Sequence, residues 1–354
     1  MLESLKEFFR DNESAALIMS EENISYFTSF HSTNGYLVVT KEKSYFLTDS
    51  RYIEAAQNKI KTCDEILLLK NMKSDIAALL KKLGIKNLHL ECERTTVSRC
   101  LDITKAMEFA EVICDGELDK AIDEIRITKN EQQVDLIIKA QRIAERAFDH
   151  ILGFISVGKT EKEIALELEY FMLKNGADAL SFETIAVSGK NSSLPHGVPS
   201  DKKIERGDFI TMDYGATVEF YHSDMTRTVA VGEVSSKQTE VYETVLRSQL
   251  AGLEKIRAGI AARDVDKVSR DIITDAGYGE FFGHGLGHGV GVEIHEKPTL
   301  NPSSSDILTA GHIVTVEPGI YLPGEFGVRI EDMALVTADG CTNLTQCEKK
   351  LIVL

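Results

Sequence analysis

Apolar residues fall in short runs over the first third of the chain and at helical spacing over much of the rest. Ala15–Met19, Tyr36–Val39, Ser44–Leu47, Ile66–Leu69 and Asn87–Leu90 read as β-strands. Between the last two, Ile76, Leu79, Leu80 and Leu83 recur at helical spacing from Lys73 to Leu83, and Gly84 stops the pattern. Alternation of this kind predicts an α/β layer around a mixed sheet, assigned here to residues 1–128. Near residue 128 the pattern changes. Thr128-Lys129-Asn130-Glu131 has the S/T-x-x-E form of a capping box. The helix it opens carries Val134, Ile137, Ile138, Ala144, Phe148, Ile151 and Ile155 on one face. Thr160-Glu161-Lys162-Glu163 opens a second helix, which ends at Asn175-Gly176, and further helical patterns run over 237–259 and 264–277. Residues 209–214 and 226–231 read as strands around one loop, and 312–317 and 327–336 around another. Residues 129–354 thus read helix, helix, acidic hairpin, twice over. This is a duplication of element order without identity of residues.

Composition narrows the classes of function. Hydrophobic residues make up 43% of the 354 and charged residues 27%, which excludes disorder and collagen-like structure. The formal net charge of −16 repels phosphate backbones and anionic lipid, so neither a nucleic-acid nor a membrane partner is expected. No apolar run is long enough to cross a bilayer, and Met1-Leu2-Glu3-Ser4-Leu5-Lys6-Glu7 lacks the apolar stretch of a secretory signal. The six cysteines have no C-x-x-C spacing, so reduced, buried thiols in a cytoplasmic protein are the expectation.

The acids and histidines carry the chemistry. Asp213 ends one predicted strand and Asp224 begins the next, so pairing of the strands sets the two carboxylates side by side. Like charges that close raise each other's pKa unless a cation neutralises them. In the second hairpin, alternation puts Val314, Val316, Val328 and Ile330 toward the core and Thr315, Glu317, Arg329 and Glu331 on the opposite face. For either hairpin alone, an exposed, salt-bridged sheet face is an equally good reading. The stretch from Gly283 to Glu296 adds a third element. Its glycines alternate strictly, so no Gly-x-Gly-x-x-Gly register fits. His284 and His288 have i, i+4 spacing, but Gly285 stands where a zincin helix needs its Glu, and the glycines disfavour any helix. Three of the nine histidines, His284, His288 and His295, lie here within twelve residues. A glycine-rich strand lets backbone come close to a ligand while such histidines project from it. Two aspartates, two glutamates and a histidine suit a pair of Mn²⁺, Co²⁺ or Zn²⁺ ions. Two such ions, roughly 3.5 Å apart, hold a hydroxide at neutral pH and polarise a carbonyl, so hydrolysis is the implied reaction.

The pattern resembles the pita-bread metallopeptidases over residues 130 to 354, and within them aminopeptidase P and prolidase, the Xaa-Pro peptidases. The matching segments are Met-Asp-Tyr-Gly at Asp213, Ser-Asp-Met-Thr-Arg at Asp224, the histidine-glycine stretch at His288, Val-Glu-Pro-Gly at Glu317 and Arg-Ile-Glu-Asp at Glu331. Residues 23–30 and 48–52 resemble, more loosely, the creatinase-type N-terminal domain. The resemblance implies an α+β protein: a pita-bread catalytic domain behind a smaller α/β N-terminal domain. It implies Asp213, Asp224, His288, Glu317 and Glu331 as ligands of two divalent ions, with Mn²⁺ the leading choice over Co²⁺ and Zn²⁺. Asp213 chelates one ion, Asp224 and Glu331 bridge both, and Glu317 is the general base acting on a metal-bridged hydroxide. His295 hydrogen-bonds the substrate carbonyl or the oxyanion, and His196 stands near the leaving group. His284 and Arg329 take substrate-side or supporting positions, with Arg329 bracing Asp213 or Tyr214, and Tyr321 borders the proline pocket. The implied substrates are small peptides with proline second, and the implied assembly is a homodimer. Xaa-Pro aminopeptidase activity is the main expectation and prolidase the alternative. A methionine aminopeptidase is disfavoured by the large N-terminal domain, and a non-enzymatic scaffold by the complete ligand set.

Overall fold

Every apolar run singled out in the first third becomes a strand of one mixed sheet. In the computed structural model, which describes residues 1–354, the chain divides into Met1–Arg126 and Ile127–Leu354. The first unit contains β1 (Ser14–Ile18), β2 (Gly35–Thr40), β3 (Ser44–Thr48), β4 (Glu65–Leu68), β5 (Asn87–Leu90) and β6 (Glu111–Ile113) in the order β4-β3-β2-β1-β5-β6. β1 pairs antiparallel with β2 and parallel with β5. All five residues of β1 are buried, the signature of a strand covered on both faces. Its helices are α1 (Leu2–Lys6), α2 (Glu21–Thr28), α3 (Ile53–Lys59), α4 (Met72–Lys82), α5 (Val97–Ala106) and α6 (Glu117–Ile127). α4 starts on the Asn71 side chain, which accepts from Ser74 N, and buries Ile76 and Leu80. Gly84, at φ 72°, takes the left-handed conformation that ends it.

The second unit opens with α7 (Glu131–Phe154) and α8 (Glu161–Lys174), followed by β7 (Ala179–Leu180), β8 (Ile185–Ser188), β9 (Phe209–Tyr214), β10 (Ala216–Val218), β11 (Tyr221–His222) and β12 (Met225–Ala230). Then come α9 (Ser236–Lys255), α10 (Ala262–Asp275), β13 (Gly287–Gly289), β14 (Glu296–Leu300), β15 (Ile313–Val316), β16 (Gly319–Leu322), β17 (Phe326–Arg329), β18 (Asp332–Val336) and β19 (Cys341–Asn343). The duplication of element order has a counterpart in the packing. One apolar cluster joins Phe148, Leu168, Ile210 and Met225 across α7, α8, β9 and β12, and another joins Val245, Val265, Val314 and Val328 across α9, α10, β15 and β17. No helix is long and apolar enough to cross a membrane.

Three expectations are corrected. The capping box of α7 is built by Asn130 and Gln133, two residues beyond Thr128. Lys129 lies before the helix and is buried, with its amide on Gly311 O at 2.9 Å and its Nζ paired with Glu296. The run 327–336 is also not one strand. β17 pairs with β16, whereas β18 pairs with β15, and Ile330 and Glu331 lie at the break between two sheets. In the first hairpin Thr226, not Asp224, stands opposite Asp213. Asp224 precedes the ladder by one residue, on the same face as Thr226, and so lies diagonal to Asp213.

The cap makes a direct test. Asn130→Ala removes the acceptor of the Gln133 amide and lowers stability by about 1 kcal/mol, whereas Thr128→Ala, at an exposed position, changes it by less than about 0.5 kcal/mol. Urea unfolding of the two variants measures the difference, and a larger loss at Thr128 contradicts the assignment.

Candidate metal centre

Strand ends and breaks deliver the acids to one place. Asp213 comes from the end of β9, Asp224 from just before β12, His288 from the middle of β13, Glu317 from the end of β15 and Glu331 from the β17–β18 break. The glycines around His288 serve neighbouring strands rather than a ligand. A Cβ on Gly287 would lie 2.0 Å from Thr315 O, and one on Gly289 would lie 2.1 Å from Lys297 O. Only glycine lets β13 sit this tightly between β14 and β15.

Donor atoms of Asp224, His288 and Glu331 lie within 4.8 Å of one another. His288 Nε2 is 3.6 Å from Asp224 Oδ2 and 3.4 Å from Glu317 Oε1. His288 Nδ1 lies 3.0 Å from Gly289 O and must donate to it, which leaves a lone pair on Nε2. Burial, with His295 adding to it, pushes His288 down to about 4, so the ring is neutral near pH 7. A lone pair therefore faces two carboxylates, and Asp213 Oδ1 is buried with no hydrogen-bond partner. Acceptors turned on one another without donors between them fit divalent cations, and this donor set of four carboxylates and one imidazole suits Mn²⁺, Co²⁺ or Zn²⁺.

The electrostatics follow from the crowding. Burial, then Glu331, Asp213 and Glu317, hold the Asp224 carboxyl well above the usual range. Burial, then Glu317 and Asp213, do the same to Glu331. Burial pushes Glu317 up to about 8, with Arg329 pulling the other way.

Arg329 is the cation the chain itself provides. Its Nη2 donates to Asp213 Oδ2 at 2.6 Å, its Nε to Thr226 Oγ1 at 3.0 Å, and its Nη1 to Tyr321 OH at 2.8 Å and Pro195 O at 3.2 Å. Thr226 Oγ1 in turn donates to Glu331 Oε2 at 2.7 Å. Thr226 and Thr315, whose Oγ1 lies 3.3 Å from Glu317 Oε1, were not singled out from the sequence. The signal was present: both occupy the alternate positions that share a face with the acids.

A cavity of about 1040 Å³ opens onto the cluster. Asp213, Asp224, His284, His288, His295, Glu317, Arg329, Glu331 and the exposed His196 line it, with Phe182, Ile185, Val198 and Ile294 forming apolar wall. The His295 ring packs against His288, centroids 4.3 Å apart. His284 lines the cavity with both nitrogens engaged, Nδ1 with Gly285 O at 2.8 Å and Nε2 with Tyr321 OH at 3.0 Å, so it presents ring carbon rather than a free nitrogen. Tyr321 is the clearest departure. It lies behind the wall, 6% exposed, bound to His284 and Arg329, and does not line the cavity. Phe182 is an aromatic that does.

Known proteins resemble this chain in sequence and fold. Residues 135–338 match the model of metallopeptidase family M24, and residues 2–128 that of the creatinase/prolidase N-terminal domain. An Xaa-Pro dipeptidase from Bacillus anthracis, of known structure, is 42% identical, covers 100% of this chain and 99% of its own, and superposes with a TM-score of 0.95. An Xaa-Pro dipeptidase of Pyrococcus horikoshii is 39% identical over 97% of this chain and 96% of its own length. The structure of an X-Pro aminopeptidase from Thermotoga maritima is 38% identical, with coverage of 96% and 97% and a TM-score of 0.91. The chain belongs to metallopeptidase family M24, with a creatinase-type N-terminal domain followed along the chain by a pita-bread catalytic domain.

The raised carboxyls set the sign of a pH effect. In metal-free protein they keep protons that the unfolded chain releases near pH 4.5, so they withdraw stability as pH rises from there toward 8. Divalent metal removes that loss. Saturating Mn²⁺, at about 100 times its dissociation constant, raises the melting temperature by roughly 5–10 °C. The rise is larger at about pH 8 than at about pH 5, where protons compete for the same oxygens. Scanning fluorimetry with and without chelator measures it, and equal shifts at both pH values argue against this cluster as the binding site.

Proposed function

We propose that the protein is an Xaa-Pro dipeptidase, a metallo-exopeptidase that releases free proline from small Xaa-Pro peptides, with Asp213, Asp224, His288, Glu317 and Glu331 holding two divalent ions, Mn²⁺ first among them. The observation that carries the reading is the set of carboxylate and imidazole lone pairs turned on one another at the floor of a cavity that also presents His196 and His295. Aminopeptidase P, the main expectation from the sequence, gives way to its alternative because relatives at 39% and 42% identity bear the name Xaa-Pro dipeptidase. The Thermotoga X-Pro aminopeptidase keeps the longer-peptide reading as the second one.

The bound ions would polarise the scissile carbonyl and acidify the attacking water. Glu317, on the cavity floor beside His288, takes a proton from that water and passes it to the departing prolyl nitrogen. His295 donates a hydrogen bond to the carbonyl oxygen as negative charge gathers on it. An Xaa-Pro amide has no N–H, so recognition falls to shape and to the ends of the substrate. His196 stands at the prolyl end, and Phe182, Ile185, Val198 and Ile294 exclude water from the bond under attack. Arg329 holds Asp213 in place.

A panel of Xaa-Pro dipeptides and Xaa-Pro-Yaa tripeptides with Mn²⁺ tests the proposal. Proline appears from the dipeptides, and the tripeptides are poor substrates. Faster cleavage of the tripeptides returns the assignment to aminopeptidase P, and no cleavage of either class refutes both. Asp213→Asn removes a charge at constant volume and lowers kcat/KM by more than about 100-fold. His295→Ala lowers kcat by about 100-fold with KM little changed. An unchanged kcat with a raised KM contradicts the oxyanion role.

A further inference from the structure

His196 enters the cavity on the segment from Ser188 to Ser200, and one side chain ties that segment at both ends. Glu161 occupies the first position of α8 and is completely buried. Its Oε1 accepts from Ser188 N at 2.7 Å, Ser188 Oγ at 2.9 Å and Asn191 Nδ2 at 3.1 Å. Its Oε2 accepts from Ser200 N at 3.0 Å and Ser200 Oγ at 2.6 Å. Every one of these donors is neutral. A buried carboxylate without a cationic partner is costly unless donors saturate it, as these do with help from the N-terminus of α8. Helix capping does not account for it, because Thr160 and Glu163 already form the capping box.

The same segment is held from its other side by the metal centre's framework. Ser192 Oγ accepts from Gly327 N at 2.8 Å, and Pro195 O accepts from Arg329 Nη1 at 3.2 Å. His196 therefore stands between two anchors: the Glu161 carboxylate and the guanidinium that holds Asp213.

We infer that Glu161 is a positioning residue of the peptidase. It fixes the segment 188–200 so that His196 meets the prolyl end of the substrate, and it touches no substrate itself. The inference rests on the proposed function for what His196 binds, and on the hydrogen bonds alone for how the segment is held.

A double-mutant cycle tests it. Glu161→Gln keeps the volume and turns an amide donor toward donors. It lowers kcat/KM on an Xaa-Pro dipeptide by about tenfold with bound metal unchanged. In a His196→Ala background the same change costs less than about twofold, because the residue through which Glu161 acts is gone. Equal losses in both backgrounds overturn the inference, as does full activity of Glu161→Gln. If Glu161→Gln does not fold, Ser200→Ala removes one tie, and the same cycle applies with a loss of about threefold. Amide exchange of the Mn²⁺-loaded protein without substrate separates this inference from the functional reading. Exchange in Glu161→Gln accelerates over residues 188–200, because the amide keeps a single acceptor oxygen and one of Ser188 N and Ser200 N loses its partner. If exchange there is unchanged, the clamp is refuted whatever the enzyme cleaves, and if the wild type cleaves no Xaa-Pro peptide, the functional reading fails while exchange still decides the clamp.

Discussion

Four carboxylates share one cavity floor, and their mutual repulsion is the constraint around which the second unit is organised. Burial holds the carboxyls of Asp224, Glu317 and Glu331 above the usual carboxylate range, and the neighbouring acids push in the same direction. The chain offers a single guanidinium in direct contact, Arg329, and aims it at Asp213. Burial disfavours that charge too, but Tyr321, Asp213, Glu317 and Glu331 more than offset the loss, so Arg329 stays fully charged. One positive charge against four acids leaves the floor in deficit, an environment that fits divalent cations.

Holding such groups together needs rigid supports behind them. Arg227, on β12, is 1% exposed. It donates to Thr226 O at 2.9 Å and Glu331 O at 2.6 Å, and pairs with the fully buried Asp332 at 2.8 Å. Asp332 also accepts from Lys349 at 2.7 Å and Gln249 at 3.0 Å, so the β17–β18 break that presents Glu331 is pinned from behind by a saturated polar network. Asp266 does the same for the histidine stretch. It accepts from Leu286 N at 3.0 Å and pairs with Arg270, which donates to Phe282 O and His284 O at 2.9 and 2.7 Å.

Much of this was legible in the chain because each legible feature is local. Strand runs such as Asn87–Leu90 announce themselves by side-chain type, and the acids and histidines by their flanking residues. What was illegible depends on pairing across distance. Thr128-x-x-Glu131 and Asn130-x-x-Gln133 both fit a capping box, and the chain uses the second, with Lys129 held before the helix by Gly311 and Glu296, well over a hundred residues on. Residues 327–336 read as one strand because nothing in their alternation reveals that β16 takes one half and β15 the other. Tyr321 was placed at the cavity wall by resemblance, yet its hydroxyl is taken by Arg329 and His284, a three-residue arrangement that no spacing encodes. Glu161 looked like one more acid in a first helical turn, since its donors come from Ser188, Asn191 and Ser200.

Glu161 also supplies the internal control for the metal centre. It is as deeply buried as Glu331, in the same unit, and it carries the same functional group. Around Glu161 both oxygens meet N–H and O–H donors, so its acceptors are satisfied by neutral groups. Around the cluster the directions reverse. Glu331 has one donor, Thr226 Oγ1, and Asp213 has an oxygen with no partner, while the nearest atom to Asp224 and Glu317 on His288 is itself a lone pair. Burial alone therefore does not mark a metal site, since this chain can bury a carboxylate and satisfy it with its own backbone and side-chain donors. The mark is burial with acceptors facing acceptors, and in this cavity five side chains from five separate places on the strands and their connections converge in that arrangement.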